Sequence, residues 1–261
     1  MWRAWAFFRR DLLTDLSYKL SFALEGAHLL VGIAGYYFLA RLLDEQTPEG
    51  YAPFAFIAVG VAVNGYMTTS LVCFAQAIRG GQTMGTLKAV LTTKTSPTEF
   101  IISSSVYPFA RSAVDAAVCL LAASAFGLTL GNVNLFATAL LLAFSFLGFC
   151  SVGILSAAST LVFKRGDPLL WLFVSTSWLL GGVLYPREML PQALQSVAQL
   201  LPLTHALDGM RLALLHGAPT ADVLPQIRAL ILFSAIGLPG SLAAFHLGVR
   251  QARVAGTLAH V

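Results

Sequence analysis

An uncharged stretch of 48 residues runs from Ala116 to Phe163 and reads AAVCLLAASAFGLTLGNVNLFATALLLAFSFLGFCSVGILSAASTLVF. A helix needs roughly 20 mainly apolar residues to cross the hydrocarbon core of a bilayer, so this stretch is long enough for most of two crossings. The cluster Gly131-Asn132-Val133-Asn134 lies where the turn between them would fall, because glycine and asparagine favour turns. The stretch therefore predicts two consecutive transmembrane helices.

Four more apolar runs flank this pair. Residues 50–78, 168–186 and 229–249 contain no charged side chain, and residues 21–43 contain only a few polar ones. Each run is close to the length of one crossing. We therefore predict six transmembrane spans, near residues 21–43, 52–78, 100–130, 134–163, 168–186 and 227–249.

The composition excludes a water-soluble globular protein. Of 261 residues, 57% are hydrophobic and 11% are charged, and the mean hydropathy is +0.76. A soluble domain carries about 25% charged residues, so this chain could not cover a surface that faces water. We expect an all-α membrane protein with one transmembrane domain over residues 1–261. It divides into an interfacial helix (1–20), the six-span region (21–249) and a cytoplasmic tail (250–261).

The basic residues are distributed unevenly between the predicted loops. With the N-terminus inside, the cytoplasmic segments hold 11 of the 16 basic residues, as the positive-inside rule requires. We therefore expect both termini in the cytoplasm and an even number of crossings of the plasma or inner membrane. The net charge of +4 follows from this topology and does not indicate a nucleic-acid partner. The cytoplasmic basic residues are Arg3, Arg9, Arg10, Lys19, Arg79, Lys88, Lys94, Lys164, Arg165, Arg250 and Arg253.

The first 20 residues predict an amphipathic helix rather than a cleaved signal peptide. They are too charged for a signal peptide, and no small-residue cleavage site follows a short apolar core. Trp5, Phe8, Leu12 and Leu16 recur at steps of three and four residues, which places them on one helix face. Such a helix lies along the cytoplasmic interface of the membrane.

The sequence contains no arrangement of residues suited to catalysis or metal binding. It has no Gly-Lys dipeptide, so the phosphate loop of a nucleotide hydrolase is absent. Cys73, Cys119 and Cys150 fall in predicted spans without paired spacing, and the five histidines are scattered. We expect no enzymatic activity, no metal site and no cofactor bound by this chain.

Charged residues do occur within the apolar runs. Arg111 and Asp115 are four residues apart in the third span, so they share a helix face and can pair. An unpaired charge at the middle of a bilayer costs at least roughly 2.5–3.5 kcal/mol, which favours pairing. The pair has two interpretations: it fixes helix packing, or it borders a transport pathway. Glu25 lies near the inner end of the first span, within reach of the interface.

Two irregular segments interrupt the spans. Residues 79–97 are too polar to cross the bilayer and lie on the cytoplasmic side, and residues 83–91 within them predict a short helix along the membrane face. Residues 184–211 are apolar but broken by prolines, which predicts two half-helices that return to the same side. Irregular backbone at membrane depth requires burial in protein or a water-filled cavity, so this segment indicates a pathway. Its candidate residues are Tyr185, Pro186, Pro191, Pro202, His205, Asp208 and Arg211.

These segments carry a resemblance to a known family. Gly85-Thr86-Leu87, with Ser96-Pro97 downstream, is similar to the coupling-helix motif in the membrane-spanning subunits of type-2 ABC exporters. Tyr185-Pro186-x-x-x-Leu190-Pro191 and Leu201-Pro202-Leu203-Thr204-His205, closed by Asp208 and Arg211, resemble the family's signature between its last two spans. The amphipathic N-terminus followed by six spans fits the layout of the whole family.

The resemblance implies a permease subunit that moves an amphiphile, such as a drug, a lipid or a lipid-linked saccharide, across the membrane. A separate nucleotide-binding subunit would hydrolyse ATP and hold its Mg²⁺, and a second copy of this chain or a related permease would complete the pathway. The family usually has acidic residues flanking Gly-Thr-Leu, whereas this chain has Gln82, Thr83 and Lys88. The residues expected to couple the chain to the ATPase are Gln82, Met84, Gly85, Thr86, Leu87, Lys88 and Val90.

Two other classes of protein remain possible from the sequence. A secondary transporter driven by an ion gradient would show inverted repeats and an ion site at mid-membrane, and no internal repeat is detected. A membrane-embedded enzyme would need convergent polar groups within its spans. The substrate, the direction of transport and the choice between homodimer and heterodimer are left open.

Overall fold

The computed structural model describes residues 2–42, 50–83, 97–130, 133–162 and 168–254, and these residues contain helices and no strand. The all-α class is therefore confirmed for the described part of the chain. In chain order the helices are α1 (Trp2–Ser17), α2 (Lys19–Arg41), α3 (Pro53–Thr83), α4 (Pro97–Ala125), α5 (Leu135–Val162), α6 (Pro168–Leu180), a 3₁₀ turn (Arg187–Met189), α7 (Gln192–Ala198), α8 (Pro202–Leu215) and α9 (Thr220–Val254).

Four of these helices, α3, α4, α5 and α9, are long and apolar enough to cross a membrane. The predicted first and fifth spans correspond to α2, with 23 residues, and α6, with 13 residues. Both are helical, but neither is among the four by length and composition. The membrane class is thus supported, while the count of six crossings stays a prediction.

Helix α3 forms the centre of the packed bundle. It packs against α4 and α5, and α5 in turn packs along α9. Phe74, Phe149 and Phe245, from α3, α5 and α9, are almost completely buried in one continuous apolar core. Burial of this kind contributes about 25 cal/mol per Å² of apolar surface in water, whereas in lipid close packing between the helices takes over that role.

Helices α1 and α2 lie at the edge of the bundle. Helix α1 packs mainly on α4, where the ring of Phe8 meets the ring of Tyr107 at 5.5 Å in an edge-to-face arrangement. Trp5 stacks on Phe8 and is largely exposed, as expected for an interfacial anchor. Helix α2 contacts α3 and α4 and leaves a row of large apolar side chains exposed.

Several span boundaries differ from those predicted. Helix α4 ends at Ala125 instead of near residue 130, and α9 runs from Thr220 to Val254 instead of from 227 to 249. The loop predicted to open at Arg79 begins later, because α3 continues through Gly80 and Gly81 to Thr83. Glycine inside a helix costs only about 1 kcal/mol relative to alanine, and Ile78 and Gly81 are buried in the bundle. The fifth span was predicted to reach residue 186, but α6 ends at Leu180.

Several helix ends meet at one end of the bundle. Tyr37, near the end of α2, contacts Phe54 at the start of α3 and Phe126 just after α4, with ring centroids 5.3 and 5.5 Å away. Asn134, just before α5, donates its side-chain amide to the Ala218 carbonyl before α9, at 2.9 Å. These residues mark one end of the bundle, which we call the Asn134 end.

The predicted coupling helix lies outside the described residues. Helix α3 ends at Thr83, and the described part of the chain continues from Pro97. The predicted coupling residues Met84, Gly85, Thr86, Leu87, Lys88 and Val90 all fall between these two positions. Gln82 belongs to the last turn of α3.

Candidate functional site

The chain reverses direction immediately after α6, in a turn buried between helices. Gly182 adopts a φ of +77°, a left-handed conformation that favours glycine, and Val183 is fully buried. Gly60 of α3 faces this turn: a Cβ atom at position 60 would lie 2.1 Å from the Val183 carbonyl oxygen. The close approach therefore requires glycine at position 60, and no pattern in the sequence marks this residue, because its neighbour Val183 is distant along the chain.

Arg211 of α8 holds the same turn from the other side. Its side chain is 3% exposed, and Nη2 donates to the carbonyl oxygens of Gly182 at 2.7 Å, Phe56 at 3.2 Å and Val183 at 3.3 Å. Its guanidinium carbon lies 3.4 Å from the centre of the Phe56 ring. Hydrogen bonds from a charged donor contribute roughly 1.5–3 kcal/mol each, so Arg211 ties α8, α3 and the turn into one unit.

An ion pair connects the 3₁₀ turn to α8. Arg187 Nη1 lies 2.6 Å from Asp208 Oδ2, and both side chains are largely buried. Burial raises the pKa of the Asp208 carboxyl, while the neighbouring Arg187 and Arg211 guanidinium groups oppose that rise. The pair fixes the loop that leads away from the turn.

The three prolines of this segment each begin a helical element. Pro186 precedes the 3₁₀ turn, Pro191 precedes α7, and Pro202 is the first residue of α8. Proline suits these positions because its φ is already fixed near the helical value and it has no N–H to leave unpaired. Two helices, α7 and α8, follow in this segment, and the predicted re-entrant half-helices stay a prediction.

The remaining two candidates bond to backbone carbonyls nearby. The Tyr185 hydroxyl donates to the Leu179 carbonyl at the end of α6, and His205 Nε2 lies 2.8 Å from the Gln199 carbonyl oxygen. The structure therefore brings the candidates of the 185–211 segment together in one packed unit between α6 and α9. Their roles in transport stay predictions.

The Arg111–Asp115 pair belongs to a larger cluster. Arg111 Nε lies 3.0 Å from Asp115 Oδ1, Nη1 lies 3.0 Å from Asp15 Oδ2 of α1, and Nη2 lies 2.8 Å from Glu25 Oε2 of α2. The Tyr107 hydroxyl adds a hydrogen bond of 2.5 Å to Asp15 Oδ2. We call these five residues the Arg111 cluster. Asp15 was not predicted to take part, because only the fold brings residues 92 and 96 positions apart into contact.

A cavity of about 800 Å³ lies beside the Arg111 cluster, between α2, α3 and α4. Glu25, Arg111 and Asp115 line it, together with residues along α2 and α3. Tyr185, Pro186, Pro191, Pro202, His205, Asp208 and Arg211 do not line this cavity. The Arg111–Asp115 pair therefore borders this cavity, and the candidates of the 185–211 segment do not.

The described ranges contain no candidate metal site. Among them, no group of three or more His, Cys, Asp or Glu side chains is placed to hold a metal ion. Cys73, Cys119 and Cys150 are buried free thiols, one each in α3, α4 and α5. They act as small apolar packing residues in the described bundle.

A bundle with four membrane-length helices, a charged cluster between three of its helices and an open cavity beside that cluster is typical of an integral membrane protein. The ABC-2 type transporter family matches residues 5–215, most of the chain, and the protein belongs to that family. The family resemblance found in the sequence is thus confirmed. The matched range extends from α1 to the end of α8, so α9 lies beyond it.

The chain is also similar in sequence to two individual proteins. The chain is 26% identical over 183 residues to Nodulation protein J of Rhizobium leguminosarum bv. trifolii, which covers 70% of this chain and 69% of the relative. It is 25% identical over 186 residues to Nodulation protein J of Rhizobium leguminosarum bv. viciae, with 71% of each chain covered.

Proposed function

We propose that this chain is the membrane-spanning permease subunit of an ATP-driven exporter. The observation that carries the proposal is the family match over residues 5–215, on a bundle whose helices are long enough to cross the bilayer. The subunit moves an amphiphile, such as a drug, a lipid or a lipid-linked saccharide, across the cytoplasmic membrane. The particular substrate is left open.

The proposal includes six crossings, with α2 and α6 as the first and fifth. At 1.5 Å per residue, the 23 residues of α2 span about 35 Å, enough for a hydrocarbon core of about 30 Å. The 13 residues of α6 span only about 20 Å. The irregular backbone that follows α6 is satisfied within the protein, because the Gly182 and Val183 carbonyls accept hydrogen bonds from Arg211.

The energy source lies on a partner. The sequence has no phosphate loop, so ATP and Mg²⁺ are bound by a separate ABC ATPase subunit. The segment from Gln82 to Val90 makes the main contact with that ATPase, next to the cytoplasmic end of α3. Two copies of the chain form the pathway, and ATP binding moves them only through contacts that differ between the two states.

The test is co-expression with the ABC ATPase encoded in the same gene neighbourhood. We expect the purified chain alone to hydrolyse no ATP, and the co-expressed pair to purify as a complex with two copies of each subunit and ATPase activity. Sedimentation or native mass spectrometry measures the stoichiometry. ATP hydrolysis by the isolated chain, after contaminants are excluded, would contradict the assignment, and so would failure of every ABC ATPase of the host to associate with it.

A further inference from the structure

The cavity between α2, α3 and α4 has a polar end and an apolar end. Glu25, Arg111 and Asp115 line it on one side, whereas Leu39 and Val61 line it towards the Asn134 end of the bundle. From Glu25 to Leu39 the cavity follows about 14 residues of α2, a length of about 21 Å at 1.5 Å per residue. This is a long slot with charge at one end only.

The size of the slot suits a single-chain amphiphile. Its volume of about 800 Å³ lies within the range of roughly 300–1,000 Å³ for small-molecule sites. Four glycines, Gly26, Gly32, Gly35 and Gly65, line the slot, and a Cβ atom built on any of them meets nothing within 4 Å. The absence of side chains at these positions therefore keeps the slot open along much of its length.

Among the described side chains, carboxylates outnumber cationic groups at the polar end. Three carboxylates, Asp15, Glu25 and Asp115, share the Arg111 guanidinium, and His28 is the other basic residue that lines the slot. Glu25 and Asp115 are about half exposed or more and line the slot, so each can accept a further partner. An excess of carboxylate attracts a cation and repels an anionic headgroup, and this effect is stronger where little water is present.

We propose that this slot binds one single-chain amphiphile with a cationic headgroup, with the headgroup beside Glu25 and Asp115 and the alkyl chain along α2 towards Leu39. The inference rests on the proposed function and names the substrate class that its pathway accepts. The Arg111 cluster lies near the start of α2, which the proposed topology places at the inner leaflet. The ligand therefore stands with its headgroup at the cytoplasmic side, in the orientation of an inner-leaflet lipid.

The test measures binding of three tritiated probes to the permease–ATPase complex in nanodiscs of zwitterionic lipid. The probes share a hexadecyl chain and differ in headgroup: trimethylammonium, phosphate and maltoside. We expect the ammonium probe to bind most tightly and saturably. Equal binding of all three probes, or preference for the phosphate probe, would overturn the proposal.

Two pairs of variants locate the bound probe. A Cβ atom at position 32 meets nothing within 4 Å, so Gly32→Phe directs a ring into the slot, and we expect it to weaken ammonium binding at least tenfold. Gly240→Phe is its control, since a Cβ atom at this position of α9 also meets nothing within 4 Å and Gly240 does not line the slot. Glu25→Gln should weaken binding about five- to tenfold. Asp11→Asn, which removes the same charge from an α1 residue outside the slot, should leave it unchanged.

The outcomes separate this proposal from the proposed function. If the complex with the ATPase forms and hydrolyses ATP, but binding of the ammonium probe is the same in wild type, Gly32→Phe and Glu25→Gln, the slot proposal is wrong and the permease assignment stands. If no complex with an ATPase forms, the permease assignment is wrong, whatever the probe does. If the slot variants lose binding of the ammonium probe while the complex with the ATPase still forms, the result supports both the slot proposal and the permease assignment.

Discussion

Arg111 and Arg211 both belong to the helical bundle, but different partners hold them. Arg211 is 3% exposed and bonds to backbone carbonyls, so it acts as a fixed donor that stabilises a turn. Arg111 is shared by three carboxylates, and two of them, Glu25 and Asp115, line a cavity where they can also meet a ligand. Burial of a guanidinium without polar partners would cost several kcal/mol. Backbone carbonyls offset this cost for Arg211, and carboxylates offset it for Arg111.

The tight contact at Gly60 gives a prediction at the residue scale. Gly60→Ala would place a Cβ atom 2.1 Å from the Val183 carbonyl oxygen, which is backbone and cannot move aside like the end of a side chain. We expect a loss of about 1–3 kcal/mol of stability, seen as a lower melting temperature of the detergent-purified chain.

Gly65→Ala provides the matched control for this change. Gly65 lies in the same helix, but a Cβ atom there meets nothing within 4 Å, so the only effect is the higher helix propensity of alanine, worth up to about 1 kcal/mol. We expect Gly65→Ala to melt at or above the wild-type temperature. If both variants melt alike, the contact between α3 and the turn after α6 is not as close as described.

At the scale of elements, the sequence predicted helices well because lipid imposes a minimum apolar length. The runs 52–78 and 134–163 correspond to α3 and α5 within a few residues at most ends. The early end of α6 could not be predicted, because it depends on Gly60 and on Arg211, which are distant in sequence. The partners of Arg111 from α1 and α2 were missed for the same reason.

The coupling segment carries the prediction at this scale. Leu87 and Val90 are three residues apart, so on a helix they form an apolar ridge that a groove of the ATPase can receive. Loss of one buried anchor usually costs an interface about 2 kcal/mol or more. We therefore expect Leu87→Asp to abolish export and to reduce ATPase co-purification roughly thirtyfold at matched expression, with normal insertion into the membrane.

Lys88→Ala serves as the comparison for Leu87→Asp. A charge at the rim of an interface contributes little and is screened by salt, so this variant should retain most export and become less sensitive to salt. The measurements are substrate efflux and recovery of the ATPase from the same membranes. Wild-type export and recovery in Leu87→Asp would show that residues 83–91 are a simple linker.

At the scale of the whole molecule, the contacts between helix ends are consistent with the topology that the basic residues predict. The ends of α2 and α4 and the starts of α3, α5 and α9 meet at the Asn134 end, through Tyr37, Phe54, Phe126 and the Asn134–Ala218 hydrogen bond. Tyr51 also stacks on His216 there, with ring centroids 4.5 Å apart. Consecutive helices therefore alternate in direction, and α2 begins at the end where α9 finishes.

This arrangement yields the prediction for the whole chain. If the Asn134 end faces outward, reporter fusions after Glu49 and Ala218 should report the outside, and fusions after Lys94 and Val261 should report the cytoplasm. The reason is electrostatic: Arg79 and Arg250 lie at the opposite end of α3 and α9, and positive residues are retained on the inner side. An outside signal at Val261 together with a cytoplasmic signal after Lys94 would require an odd number of crossings between these two points. Because α3 and α9 both finish at the end opposite to Asn134, that result would contradict the six-span arrangement and also the packing of α3, α5 and α9.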